Sequence, residues 1–265
     1  AETDMTLTGT LITALFAFSL WLHRSTMERA MVTGFTFGLS LLSKLSTLLF
    51  YPCCVFVIIG WYWLLKKNAG TPSSDDAPSW QDIVRQTGIA AAVAYLIVWA
   101  GYWFAVGDLR HSKLPDITSI EWISWYSMPL RNWLASVALY PVFPAPAFFE
   151  GVQDAAVHGR TGHEAFFLGE MRQFGVWYFY PVLLLIKTPL AFLMLAVAGV
   201  VALVRKTRET NAWQPLAPVL MAMAILVSVL PTTINLGIRH ILIIYPLLAL
   251  VAGAGVLYLW RLQRF

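Results

Sequence analysis

Charge is scarce in this chain. Only 12% of its 265 residues are Asp, Glu, Lys or Arg, about half the share of an ordinary soluble domain. A soluble enzyme with a polar surface is thereby excluded. Cysteine is scarcer still: Cys53 and Cys54 are adjacent and lie in an apolar run. That spacing makes neither a zinc site nor a disulfide framework, and it says nothing about redox compartment. No P-loop, dinucleotide fingerprint or HExxH pattern occurs, and no internal sequence repeat is found. The formal net charge is +4. Its lysines and arginines sit beside apolar runs, where they set membrane topology, and they form no nucleic-acid surface.

What is abundant is apolar. The hydrophobic share is 58% and the mean hydropathy is +0.67, the composition of an integral membrane protein. A helix needs ~20 apolar residues to cross a bilayer. Seven candidate spans satisfy this to differing degrees: residues 5–22, 30–42, 45–65, 88–106, 178–204, 216–230 and 241–259. The second is short and the fifth long, which predicts tilt or partial crossing. No alternating pattern of barrel length exists, so the fold class is all-α, a polytopic membrane helix bundle. Gly34 and Gly38 form a GxxxG spacing that permits close helix approach.

Short-loop basic residues orient the bundle. Arg24 and Arg29, Lys66, Lys67 and Arg85, then Arg205, Lys206 and Arg208, and finally Arg261 and Arg264, all fall on one side if each span crosses once. That side is expected to be cytoplasmic. Three regions follow: residues 1–106 with four spans and a cytoplasmic linker at 68–84, residues 107–177 as an extracytoplasmic cap, and residues 178–265 with three spans. The linker has Pro, Ser and Asp composition and no assigned role. The cap is too long for a plain connection. Trp122, Trp125, Tyr126, Trp133 and Tyr140 favour a membrane–water boundary. An interfacial helix is expected over 120–134 and a second short one over 152–158. The chain opens Ala1-Glu-Thr-Asp, without an initiator Met or a preceding span, so an N-terminal portion is expected to precede it.

Cations at membrane depth are costly and normally face a partner or a wet cavity. Lys187 lies in the run Tyr180-Pro-Val-Leu-Leu-Leu-Ile-Lys187-Thr-Pro189, about 9 Å of helix beyond Pro181, with Pro189 expected to kink the helix. Arg239 and His240 open another apolar run after Gly237, which permits a sharp turn. Arg239 offers a planar fork suited to phosphate; His240 shares that anion or moves a proton. Lys44, between spans two and three, either snorkels to the interface or faces the same outer cavity. Asp4 caps the first helix, orients an acceptor, acts as a base or holds a metal. His158, His163, Glu164, Glu170 and Arg172 crowd the stretch before the fifth span, without a zinc-binding pattern.

Several ordered motifs give the chain a resemblance. Phe166-Phe-Leu-Gly-Glu170, Gly175-Val-Trp-Tyr-Phe-Tyr-Pro181, Ile186-Lys-Thr-Pro189 and Gly237-Ile-Arg-His-Ile-Leu-Ile-Ile-Tyr-Pro246 resemble the membrane glycosyltransferases of the protein O-mannosyltransferase-like family. Thr3-Asp4 and Gly34-Phe-Thr-Phe-Gly-Leu-Ser-Leu-Leu-Ser-Lys44 fit the same pattern. The resemblance implies a GT-C fold with an extracytoplasmic active site, in a plasma membrane of bacterial type. It implies transfer of a sugar from a polyprenyl-phosphate carrier to a protein, lipid or glycan acceptor, with a possible divalent metal. Such enzymes use a carboxylate of the first outer loop as base or metal ligand, and that loop would precede Ala1.

On this reading Asp4 is the catalytic candidate. Lys187 and Arg239 bind the substrate phosphate, with His240, Arg172 and Lys44 assisting. The partners are the lipid donor, the acceptor and membrane lipid, with no nucleic acid. The alternative is a transporter or flippase of an anionic lipid or metabolite, which also needs intramembrane cations and broken helices.

Overall fold

The computed structural model describes residues 2–68, 79–108, 142–161, 165–167, 169–172, 175–232 and 237–262. Four helices come first: α1 (Glu2–His23), α2 (Met27–Ser43), α3 (Thr47–Asn68) and α4 (Trp80–Gly101). Strand β1 (Val106–Asp108) then pairs antiparallel with β2 (Val142–Pro144), followed by α5 (Pro146–Thr161). A tight hairpin joins β3 (Ala165–Phe167) to β4 (Glu170–Arg172). The chain ends with α6 (Phe179–Lys187), α7 (Leu190–Thr210), α8 (Ala217–Val229) and α9 (Ile244–Leu262). Short 3-10 turns, Gln214–Leu216 and Ile238–Ile241, precede the last two.

The protein is mostly helical, and α1, α3, α4, α7 and α9 are long and apolar enough to cross a membrane. It is a multi-pass membrane protein. Two of the seven candidate spans are shorter: α2 has 17 residues and α8 has 13. The expected continuous fifth span is broken at Thr188–Pro189 into α6 and α7. Proline restricts the residue before it to extended backbone, and Thr188 has φ −99° and ψ 132°. The second short cap helix is found as part of α5, longer at both ends than 152–158. The two small strand pairs have no sequence signal: each strand has three residues, too few for period-two alternation to show. The expected helix over 120–134, its aromatic residues, and most of the 68–84 linker lie outside the described residues.

Lipid tails are as apolar as leucine, so packing rather than water exclusion holds helices together inside a bilayer. Glycines supply it here. A Cβ on Gly34 would strike the Ala90 backbone, and one on Gly38 would come within 2.8 Å of the Ala94 carbonyl oxygen. Contacts that advance together along both helices make α2 and α4 a parallel pair. Likewise Gly199 abuts the Val251 carbonyl and Gly255 the Leu195 carbonyl. With Thr188 against Tyr245 at one end and Arg205 against Tyr258 at the other, α7 and α9 also run parallel. The largest core lies between these pairs, where α1, α3, α8 and the start of α9 bury Leu11, Leu15, Phe50, Ile58, Ile225 and Ile241.

The two ends of the bundle are tied differently. At the end carrying most basic residues, Trp21 Nε1 donates to Gln86 Oε1 at 2.7 Å, and Gln86 Nε2 donates to the Ser25 carbonyl at 3.3 Å. At the opposite end the cap is strapped to α4. Ala145 N–H donates to the Ala105 carbonyl at 2.9 Å and Tyr95 Oη to the Pro144 carbonyl at 3.0 Å. The strap forces Trp103 (φ 56°), Phe104 (φ 54°) and Ala145 (φ 58°) into the left-handed region, at roughly 1–2 kcal/mol each.

Gly199→Leu is expected to overpack the α7–α9 contact and lower the thermal midpoint of the detergent-solubilised protein, at a cost of about 1–3 kcal/mol or more. Gly9→Ala and Gly253→Ala, where an added Cβ meets nothing within 4 Å, should leave that midpoint unchanged or raise it.

Candidate functional site

The site gathers at the end of the bundle opposite most of the basic residues. Asp4 lies in the first turn of α1, and its side chain is 8% exposed. Across from it Lys44 terminates α2, with its backbone extended at φ −167°. Lys44 Nζ donates to Asp4 Oδ1 at 2.6 Å, a charge-assisted contact. The α2–α3 turn is held by hydroxyls. Thr47 Oγ1 donates to the Ser40 carbonyl at 2.8 Å and lies 2.9 Å from Ser40 Oγ. Thr10 Oγ1 donates to Ser43 Oγ at 3.1 Å, joining α1 to the same turn. The Ser40 carbonyl thus accepts from both the Lys44 N–H and the Thr47 hydroxyl, and Lys44 is aimed at α1.

Arg239 and His240 arrive on the 3-10 turn Ile238–Ile241, launched by Gly237 with φ 89° and ψ −178°. That conformation is essentially confined to glycine. The imidazole of His240 lies between two rings: Tyr180 of α6 stacks on it at 6.0 Å, and Phe50 of α3 meets it edge-on at 5.9 Å. His240 sits in the connection ahead of α9. Burial chiefly, with the positive charges of Lys44 and Arg239, pushes its pKa down to about 4, against the opposing pull of Asp4. His240 is therefore neutral at pH 7. A neutral imidazole can donate or accept a hydrogen bond, and it adds no positive charge for an anion.

Arg239 is exposed, and its charge reaches both Asp4 and His240. Among the described residues Arg239 has no ion-pair partner, the one ion pair there being Asp4–Lys44. With Asp4 and Lys44 cancelling, the group carries one net positive charge, an anion-seeking balance. The structure thus brings together Asp4, Lys44, Arg239 and His240. It does not bring Lys187 into contact with them. Lys187 is the last residue of α6 and is exposed. Seven residues, about 10 Å of helix, separate it from the Tyr180 ring on His240. Beside it Thr188 Oγ1 and Tyr245 Oη are 2.8 Å apart, bracing the break between α6 and α7.

Arg172 lies in β4, but its side chain is outside the described residues. So is the side chain of His158, and His163 and Glu164 are outside them altogether. Glu170 is exposed. Among the described residues no three His, Cys, Asp or Glu side chains group to hold a metal. Two residues that frame the site are not among the candidates drawn from the sequence. Tyr180 has a signal, since it stands in the Gly175–Pro181 motif. Phe50 has none, being one apolar residue in an apolar run. The chain matches no protein-family model, no curated protein and no solved structure, and the chemistry of the site rests on these side chains.

Two outcomes follow from this geometry. Lys44→Met leaves the buried Asp4 carboxylate unpaired and is expected to destabilise the protein by about 1–3 kcal/mol. The full penalty for breaking a buried pair is reduced here because Lys44 is a third exposed. The double variant Asp4→Asn/Lys44→Met should recover most of the loss, read as thermal midpoints in a four-member cycle. For His240, the folded protein disfavours the charged imidazolium. Its contribution to stability is full above pH 6.5 and is lost as pH falls from 6.5 toward about 4. His240→Gln should flatten that stretch of the stability–pH curve.

Proposed function

We propose that this protein is a membrane glycosyltransferase that moves a sugar from a polyprenyl-phosphate carrier to an acceptor at the extracytoplasmic face. In this reading α1–α4 and α7–α9 all cross the bilayer, giving seven spans of GT-C type, in a membrane of bacterial inner-membrane type. The observation that carries the reading is the exposed Arg239, without an ion-pair partner among the described residues, at the same end of the bundle as the half-buried Asp4–Lys44 pair. A carboxylate and an exposed guanidinium at one end of an apolar bundle suit an acceptor hydroxyl and a lipid phosphate respectively.

The acceptor oxygen attacks the anomeric carbon as the bond from that carbon to the phosphate oxygen breaks. The electron pair leaves with the lipid phosphate. Negative charge develops on that leaving group, and a fixed cation stabilises the transition state more than the ground state. Arg239 takes this role, with Lys187 and Arg172 as further phosphate ligands when the carrier is bound. Asp4, kept ionised and oriented by Lys44, positions the acceptor or a divalent metal. The neutral His240 is available for the acceptor's proton.

A second reading, a transporter or flippase of an anionic lipid, is favoured by one arrangement. The α2–α3–α4 and α7–α8–α9 trios each contain a glycine-packed parallel pair, and α3 packs on α8 with Cys54 Sγ 3.6 Å from the Met221 carbonyl. The trios run in opposite directions, the inverted topology common in secondary transporters.

The protein in proteoliposomes, given a radiolabelled polyprenyl-phosphate sugar and an acceptor, is expected to transfer label without moving carrier between leaflets. Arg239→Gln should lower turnover by about 10²–10³-fold, and Lys187→Met should lower it by less, both proteins remaining extractable and folded. Carrier movement without transfer would replace this reading with the second.

A further inference from the structure

The basic end of the bundle carries a feature that sugar transfer does not use. A groove of about 490 Å³ opens on the outer surface between α1, α8 and α9. Its walls are apolar: Phe16 and Leu20 from α1, Met221 from α8 and Leu250 from α9. Its mouth is polar, where Gln214 Nε2 and His23 Nδ1 are 3.0 Å apart. Its far end is reached at Ile12 and Leu247.

Three observations identify an occupant. From Ile12 to His23 is eleven residues of α1, or about 16 Å. That is the depth of one leaflet, half of a ~30 Å hydrocarbon core. The groove is not sealed, for Phe16 is 63% and Leu250 61% exposed, so a chain can enter sideways from the bilayer. Two arginines adjoin groove residues: Arg24 directly follows His23 and is exposed, and Arg29 Nη1 donates at 2.7 Å to the carbonyl of Leu20.

We infer that this groove binds one anionic glycerophospholipid of the leaflet on the basic side. An acyl chain lies between Phe16, Leu20, Met221 and Leu250, and the phosphate is met by Arg24 and Arg29 beside the His23–Gln214 pair. Apolar walls one leaflet deep select a tail, and the guanidinium groups select the sign of the headgroup. The site is at the opposite end of the bundle from Asp4 and Arg239, and it stands whether or not the protein transfers sugar.

The test is native mass spectrometry of the full chain extracted from vesicles of equal phosphatidylglycerol and phosphatidylcholine. The wild type is expected to retain one phosphatidylglycerol. Leu250→Trp, at a wall residue that is 61% exposed, should fill the groove and remove that lipid while leaving the thermal midpoint near that of the wild type. Arg24→Gln should reduce the preference for phosphatidylglycerol roughly fivefold, the worth of one basic group at a membrane surface. Equal retention of both lipids by the wild type, or unchanged lipid in Leu250→Trp, would overturn the proposal. So would a lipid-free dimer that Leu250→Trp converts to monomer, since a second copy would then fill the groove.

Discussion

A carboxylate and an ammonium are both expensive to keep at the edge of hydrocarbon, and the Asp4–Lys44 contact at 2.6 Å is what makes either tolerable. The pair also has a mechanical consequence. It joins the first turn of α1 to the end of α2, while Thr47 and Ser40 fix the turn into α3. Three helix ends are held at one point. Phe50, one turn into α3, is thereby set as a wall for the His240 ring. Arg239 precedes His240 on the same short turn, so its exposed charge is delivered beside a neutralised pair rather than into a field of other cations.

The rest of the bundle is held by a different constraint. Helices in lipid gain little from hiding apolar side chains, so they associate where backbones approach closely. Gly34 and Gly38 allow this for α2 with α4, and Gly199 and Gly255 for α7 with α9. Parallel neighbours need an intervening helix to return the chain. That requirement places α3 and α8 between the pairs, where they meet and build the main core. Close packing within each pair and side-chain packing between them therefore have separate origins in the sequence.

Much of the bundle is legible in the sequence, and what is not has physical reasons. Membrane helices are visible because a long apolar run can satisfy its backbone in lipid only as a helix. The GxxxG at Gly34 marks a real helix contact, while Gly199 and Gly255 form no such motif within one helix and reveal themselves only as a pair across two. Pro189 foreshadows the break at Thr188, but not that the chain starts a new helix there. Apolar periodicity reads through a single extended residue. Asp4 and Lys44 each point from sequence to one outer cavity, and they meet. Their direct bond is not readable, because forty residues separate them and either fits a bland role as cap or snorkelling anchor. Lys187 draws the most weight in the sequence, from its depth in an apolar run. Its place at the end of a short helix makes it an exposed residue, apart from the His240 cluster.

Electrostatic balance then separates the two ends of the molecule. At one end a guanidinium with no ion-pair partner among the described residues is backed by the half-buried Asp4–Lys44 pair and by a histidine that is neutral at pH 7. A site of that balance would hold an anion without holding it excessively, and the proposed transfer needs that moderation for its leaving group. At the other end arginines cluster at helix termini with no buried acid among the described residues to offset them, which suits permanent attachment to charged headgroups. Exchange at one face and anchoring at the other call for opposite arrangements of charge. At the first end the acid is buried 2.6 Å from a lysine; at the second Glu28, Asp82 and Glu209 stand exposed near the arginines, where water weakens their pairing.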